Sequence, residues 1–295
     1  AWQERLQGEG HELITADRSL LVTPGYPSYE QMHLMLRHGI DRGFWNTLTI
    51  TGTLEGRGRM LCQLRAPDFS RLVEQDLSDR ALGHLNAGLL RAHGLDEGGD
   101  PSRGLGGHDS MWFAIRDLVL GRDRYPAPEV PPRIGRPDED RRLAPGLPKG
   151  HEELLLLLMN VLLVEVRAEL LFASTERLLC DPELFVDRRP AAEEAAEMVR
   201  RIRQDEQVHV EYLRTVLSEL RAFQLRVDGR LRHGAELLDP IWRLLVHWHT
   251  VENPRLAQGQ QRKLVRERIL AHPDGEAILV EFLALDPPEP AAVAR

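Results

Sequence analysis

The chain is poor in cysteine, lysine and aromatic residues, and each scarcity excludes something. Cys62 and Cys180 are the only cysteines among 295 residues and form no CxxC pair. A disulfide framework is thereby excluded, and a reducing cytoplasm with both thiols as small core residues is expected. Aromatics make up 5% of the chain, and Leu and Ala dominate the apolar residues, which favours helices over a β-sandwich. Lys149 and Lys263 are the only lysines among 38 cations, an arginine excess read as compositional bias. A net charge of -8 argues against a protein that coats nucleic acid. The longest apolar run, Leu154 to Val164 with Asn160 inside it, has about 11 residues, against about 20 needed to cross a bilayer. No basic, apolar and small-residue leader opens the chain, so a soluble cytoplasmic protein is expected. GxSxG, Walker, flavin and iron–sulfur motifs are lacking. Gly104 to Asp109 reads as a flexible loop into a short helix capped by Asp109, with His108 able to swing over a pocket.

What the chain has in abundance is helical periodicity. The turn cluster Pro24-Gly25-Tyr26-Pro27 closes a leading arm, 1–27, and Ser28 opens a short helix over 28–42. Residues 44–64 place Phe44, Leu48, Thr51, Glu55, Gly58 and Cys62 on one stripe and are read as helix, although Thr47 to Thr51 alternates like a strand and Gly52, Gly56 and Gly58 weaken a helix. A second helix is expected over 68–93, with Leu72, Val73, Leu77, Ala81, Leu85 and Leu89 inward and Gly94 as its stop. A crossover, 94–151, ends in a proline-rich stretch. Two strong helices follow, 152–180 and 191–223, then helices within 235–284 and a frayed tail, 287–295. On the helix from 235, His247 and His249 are expected to face solvent, opposite Ile241, Leu244, Leu245 and Trp248. Arg116 and Asp117 are expected to pair. The pattern is that of an all-α protein with one helical domain, 28–286: a four-helix bundle with a long crossover between its second and third helices and additional C-terminal helices.

Glu206 and His209 are three residues apart, so on a helix they share a face and can bind one metal ion. They lie mid-way along the inward stripe Met198, Ile202, His209, Leu213, Val216, where an unpartnered carboxylate is costly. The preceding helix is apolar on nearly every side and is interrupted by Glu165 and Glu169. Counted from the intervening turn, Glu165 and Glu206 lie at the same level of an antiparallel pair.

In these residues the sequence resembles the ferritin-like superfamily of carboxylate-bridged di-iron proteins, over 150–220. The resemblance implies a ferritin-like bundle in which Glu165, or Glu169 in its place, is the third-helix carboxylate and Glu206 with His209 forms the fourth-helix ExxH motif. The first half departs from the family pattern, because no second ExxH exists: Ala81 stands three residues before His84. His84, on the stripe Leu77, Ala81, His84, Gly88, is the candidate second-helix imidazole. Glu55 is the candidate first-helix carboxylate, with Glu74 competing. A mononuclear site, or a dinuclear site with an unusual ligand set, stays open.

The resemblance further implies a non-heme di-iron oxidase or oxygenase acting with O2 on a small organic substrate. Glu165 would bridge two Fe ions (Mn being the alternative), with Glu206 and His209 on one and His84 and Glu55 on the other. The apolar residues of 154–172 would keep the pocket dry. An external electron donor or reductase is required, no nucleic-acid or membrane partner is expected, and a homodimer is compatible. Two other readings stand beside it. One is an iron-binding, storage or ferroxidase-type bundle without an organic substrate, against which the long crossover and C-terminal additions count. The other is a metal-free helical interaction protein with Glu165, Glu169 and His209 in arginine networks.

Overall fold

The computed structural model describes residues 1–132, 135–137 and 141–286, and the tail expected over 287–295 lies outside them. Ten α-helices are described: α1 (Trp2–Gly8), α2 (Tyr29–Arg37), α3 (Arg42–Gly58), α4 (Leu89–Gly98), α5 (His108–Val119), α6 (Lys149–Cys180), α7 (Arg189–Ala222), α8 (Gly234–His247), α9 (Asn253–Leu270) and α10 (Gly275–Ala284). A two-stranded antiparallel hairpin, β1 (Gln224–Val227) and β2 (Arg230–His233), separates α7 from α8. The chain is thus all-α in class, with one small hairpin added.

The two longest helices form the scaffold. α6 and α7 have 32 and 34 residues, about 50 Å each at 1.5 Å per residue, and pack along one another as an antiparallel pair. α5 lies between α3 and α7. α2 starts where the sequence places it: Ser28 accepts from the Gln31 amide while the Gln31 side chain returns to the Ser28 amide, a complete capping box. α5 starts one residue earlier than expected, with Gly107 as its cap rather than Asp109.

α3 settles the ambiguous stretch as helix. Its threonines spend their hydroxyls on the carbonyls four residues back, Thr49 on Trp45 and Thr53 on Thr49, so they do not pull the backbone toward a strand. Gly52 has a packing role: a Cβ there would sit 3.1 Å from the Asp109 carbonyl oxygen and from the Trp112 and Phe113 side chains of α5. The glycine that weakened a helix reading is what lets α3 and α5 approach.

The helix expected over 68–93 does not form. Its apolar residues are inside as expected, with Leu72, Val73, Leu77, Ala81 and Leu85 all buried, but in irregular chain and short 3-10 turns. Asp68 and Asp76 capture the backbone amides of Ser70 and Ser78, a local competitor of the helix ladder. The Glu74 amide donates to Gln224 and the Leu72 carbonyl accepts from Arg226, tying this segment to β1. Buried Glu219 of α7 accepts from the amides of Ala81 and Leu82 at 3.0 and 2.8 Å. Only from Leu89 does α4 run, to Gly98, so the expected crossover 94–151 takes in the end of α4 besides the short helix expected from Asp109, which is α5.

Burial corrects three further expectations. Cys180 is exposed and Cys62 half-buried, so neither is a core residue. His249 is fully buried, whereas His247 is exposed as expected. Leu244, expected inside, is 40% exposed. The cause of the second is a π turn, Trp248–Glu252, between α8 and α9, whose extra residue rotates the following side chains. Arg116 and Asp117 pair as expected.

The apolar core falls into blocks. One gathers Leu158, Leu162 and Val166 of α6 with Leu213, Val216 and Leu220 of α7. Another gathers Phe44 and Leu48 of α3, Trp112 and Ile115 of α5, Phe172 of α6, and Val199 and Ile202 of α7. Between them, at the level of Glu165, Glu206 and His209, the interior is polar.

Gly52→Val should lower stability by about 1–3 kcal/mol through overpacking. Urea unfolding is expected to show a lower midpoint with an unchanged slope; an unchanged midpoint would contradict the close α3–α5 approach.

Candidate metal centre

Five helices each deliver ionisable side chains into this polar layer. α3 brings Glu55, α4 brings His93 and Glu97 one turn apart, α5 brings His108 as its first residue, α6 brings Glu165, and α7 brings Glu206 and His209. All are buried except Glu55, whose side chain is 11% exposed. They form two groups able to hold a metal ion, His93–Glu97–Glu165–His209 and Glu55–Glu97–His108–Glu206, with donor atoms mutually within 4.8 Å and Glu97 common to both.

Each imidazole turns one nitrogen toward the carboxylates and gives the other to a residue outside them. His93 Nε2 lies 3.2 Å from Glu165 and 3.7 Å from Glu97, while its Nδ1 lies 2.8 Å from the Tyr212 hydroxyl. His209 Nδ1 lies 2.9 Å from Glu206, and its Nε2 3.2 Å from Asp96. His108 Nδ1 lies 3.1, 3.4 and 3.5 Å from Glu206, Glu97 and Glu55, and its Nε2 3.4 Å from Asp205. The His93 and His209 rings stack at 3.8 Å. Such outer partners fix the tautomer and orientation that a metal-binding histidine needs.

Four atoms at the centre of the cluster are buried without a hydrogen-bond partner: Glu55 Oε2, Glu97 Oε1, His108 Nδ1 and Glu206 Oε1. Orphaned buried polar atoms are rare because each carries an unrecovered desolvation cost. Here they converge, and a cation would satisfy all of them. The donor set fits a metal: carboxylate oxygens and imidazole nitrogens suit iron, manganese or zinc.

The electrostatics show how unfavourable the cluster is without one. Burial raises the pKa of Glu55, Glu97 and Glu165, and the neighbouring carboxylates raise it further. On Glu206 burial is outweighed by the His108 and His209 imidazoles beside it, which hold it below the ordinary range. Burial also opposes charge on His209, but Asp96 and Glu206 lift its pKa to about 9. Burial, with His209 alongside, pushes His93 well down. Tyr212 is pushed up by burial and by Glu165 and Glu97, so it keeps its proton.

Of the residues singled out in the sequence, the structure brings Glu55, Glu165, Glu206 and His209 together. It does not bring the others. His84 sits in a 3-10 turn with Nδ1 on the Arg80 carbonyl at 2.7 Å and its ring against Trp2, because the helix expected to aim it inward is not there. Glu169 is held by Arg18 and Arg203, and Glu74 pairs with Arg226. His93, Glu97 and His108 take the places left vacant. A search restricted to ExxH passes over them, although His93-x-x-x-Glu97 also puts two ligand types on one helical face.

No model of a known protein family matches the chain, nor does any curated protein or solved structure.

A cavity of about 230 Å³ reaches the cluster from outside, bounded by Arg18, Glu165, Glu169, Arg203, Glu206 and Arg214. A roomier cavity of about 780 Å³, lined by Met35, Arg42 and Arg268, does not touch it.

Stripped of metal, the protein should lose stability as pH rises from about 6.5 to 9. The raised pKa of His209 makes its charged form favour the folded state, a contribution complete below 6.5 and lost through about 9. Glu55, Glu97 and Glu165 act in the same direction, because ionising them opposes folding. Thermal melts in chelator should show a falling Tm across that window, and His209→Gln should flatten it. Added Mn(II) should raise Tm more at the alkaline end, since metal ligands must be deprotonated. A pH-independent Tm in chelator would contradict this assignment.

Proposed function

We propose that the cluster is a dinuclear metal centre of the ferritin-like carboxylate-bridged kind, and that the protein is an O2-dependent oxidase or oxygenase of a small organic molecule. The observation that carries the reading is Glu97 shared between two four-residue ligand groups. Charge supports it, because two divalent cations balance four carboxylates beside three neutral imidazoles, whereas one would leave a buried excess of negative charge. In this assignment His93, Glu97, Glu165 and His209 would hold one ion, and Glu55, Glu97, His108 and Glu206 would hold the other.

A pair of redox-active ions in such a site supplies the electrons that reduce O2. The protein's own groups define what surrounds that chemistry. Asp96, Asp205 and Tyr212 orient the three imidazoles from outside. The apolar blocks on either side keep water from the ligands. The cavity at Glu165 and Glu206 is the route for substrate, and its roughly 230 Å³ lies below the ~300–1,000 Å³ of pockets for drug-sized ligands, which selects a small molecule. An external reductant or reductase closes the cycle.

Protein purified without added metal should contain about two irons per chain, and Glu206→Ala and His209→Ala should lose them. No bound metal in the wild type, even after anaerobic ferrous reconstitution, would sink the proposal. Oxygen uptake by the reduced, iron-loaded protein that rises with an organic substrate identifies the oxygenase. Uptake that stops once ferrous ion is consumed would instead assign an iron-oxidising, storage-type role.

A further inference from the structure

On α6, two residues beyond Glu165 and therefore on the opposite side of the helix, lies a polar arrangement that the metal centre does not use. Arg167 is half-buried and lines a cavity of about 480 Å³ together with Tyr26, Tyr29, Leu170, Leu171 and Gln261. Among the described residues it pairs with no carboxylate, and its one hydrogen-bond partner is His249 Nδ1, at 3.4 Å. Three other arginines drawn inside do have an acid: Arg80 has Glu9, Arg116 has Asp117 and Arg203 has Glu169. Among the described residues no aspartate or glutamate lines the Arg167 cavity.

His249 orients this guanidinium without neutralising it. Asn160 donates its amide to the Leu156 carbonyl at 2.8 Å, so its Oδ1, 2.9 Å from His249 Nε2, accepts. Nε2 therefore carries the proton and Nδ1 is the bare acceptor that faces Arg167. Burial, and then the charge of Arg167, holds the imidazole neutral, with its pKa down at about 3. The π turn at Trp248–Glu252 is what brings His249 inward, and π turns are frequent at functional positions.

A desolvated cation without a counter-charge is costly, and the cavity beside it is within the size range of ligand pockets, ~300–1,000 Å³. We propose that this cavity binds a small organic carboxylate, its negative charge on Arg167 and an apolar body against Leu170, Leu171 and the tyrosines. A single guanidinium matches a single carboxylate in charge and in planar, two-point geometry. The largely apolar lining asks for more ligand than a bare inorganic anion provides.

The test is calorimetric titration of the full chain with 4-phenylbutyrate, alongside the neutral 4-phenylbutanol and inorganic phosphate. Wild type should bind the acid saturably at one site, and roughly 10-fold or more tighter than the alcohol, the worth of a charge-assisted hydrogen bond. Arg167→Gln should weaken the acid by that factor while leaving the alcohol unchanged. Leu171→Trp, which fills the cavity from a part-exposed position and leaves Arg167 in place, should weaken both, so the proposal does not depend on one variant folding. No saturable binding, equal affinity for acid and alcohol, or acid binding unaffected by both variants would overturn it. Arg167-dependent binding of phosphate in preference to the acid would overturn the carboxylate assignment.

Discussion

Four carboxylates and three imidazoles occupy one layer between two apolar blocks, and the rest of the fold is organised around making that tolerable. Taking a carboxylate out of water costs several kcal/mol even after relaxation, and neighbouring carboxylates add mutual repulsion. The protein answers with outer hydrogen bonds to each imidazole, but it leaves four central atoms unsatisfied. A cluster so expensive and so convergent is better explained by what it could hold than by what it does for the core.

Geometry at the cluster depends on close helix approach. Gly52 lets α3 lie against α5, and a Cβ on Gly58 would stand 2.6 Å from Glu97 Cγ. The small residues that weakened α3 as a sequence pattern are thus the ones that set Glu55 and Glu97 within reach of each other. Local propensity has been conceded where the site needs it, as is expected of functional positions.

The α6–α7 half was legible because one sequence signal served both fold and site: an apolar stripe interrupted at one level by Glu165, Glu206 and His209. The first half was not, because its signals conflict. Leu72 to Leu85 carry helical spacing and are buried, yet Asp68, Asp76 and the distant Glu219 take the backbone amides a helix would need. Glu219 acts across more than a hundred residues, and no local pattern announces it. Once the second helix is misplaced, His84 looks inward, His93 sits at that helix's very end, and Glu97 and His108 fall into what reads as a loop. His249 was misjudged for a related reason, since a π turn breaks the periodicity by which solvent and core faces are assigned.

The cluster draws on α3, α4, α5, α6 and α7, which span most of the chain. During synthesis Glu55, His93, Glu97 and His108 emerge early, on α3, α4 and α5, before α6 and α7 are there to close the layer. Glu206 and His209 come last, on the helix that also supplies the deepest apolar stripe. A chain truncated before α7 therefore lacks two donors and the wall that dries the rest. Occupancy of the centre would mark a chain that has been completed and folded, and a cell could load it only after α7 has docked.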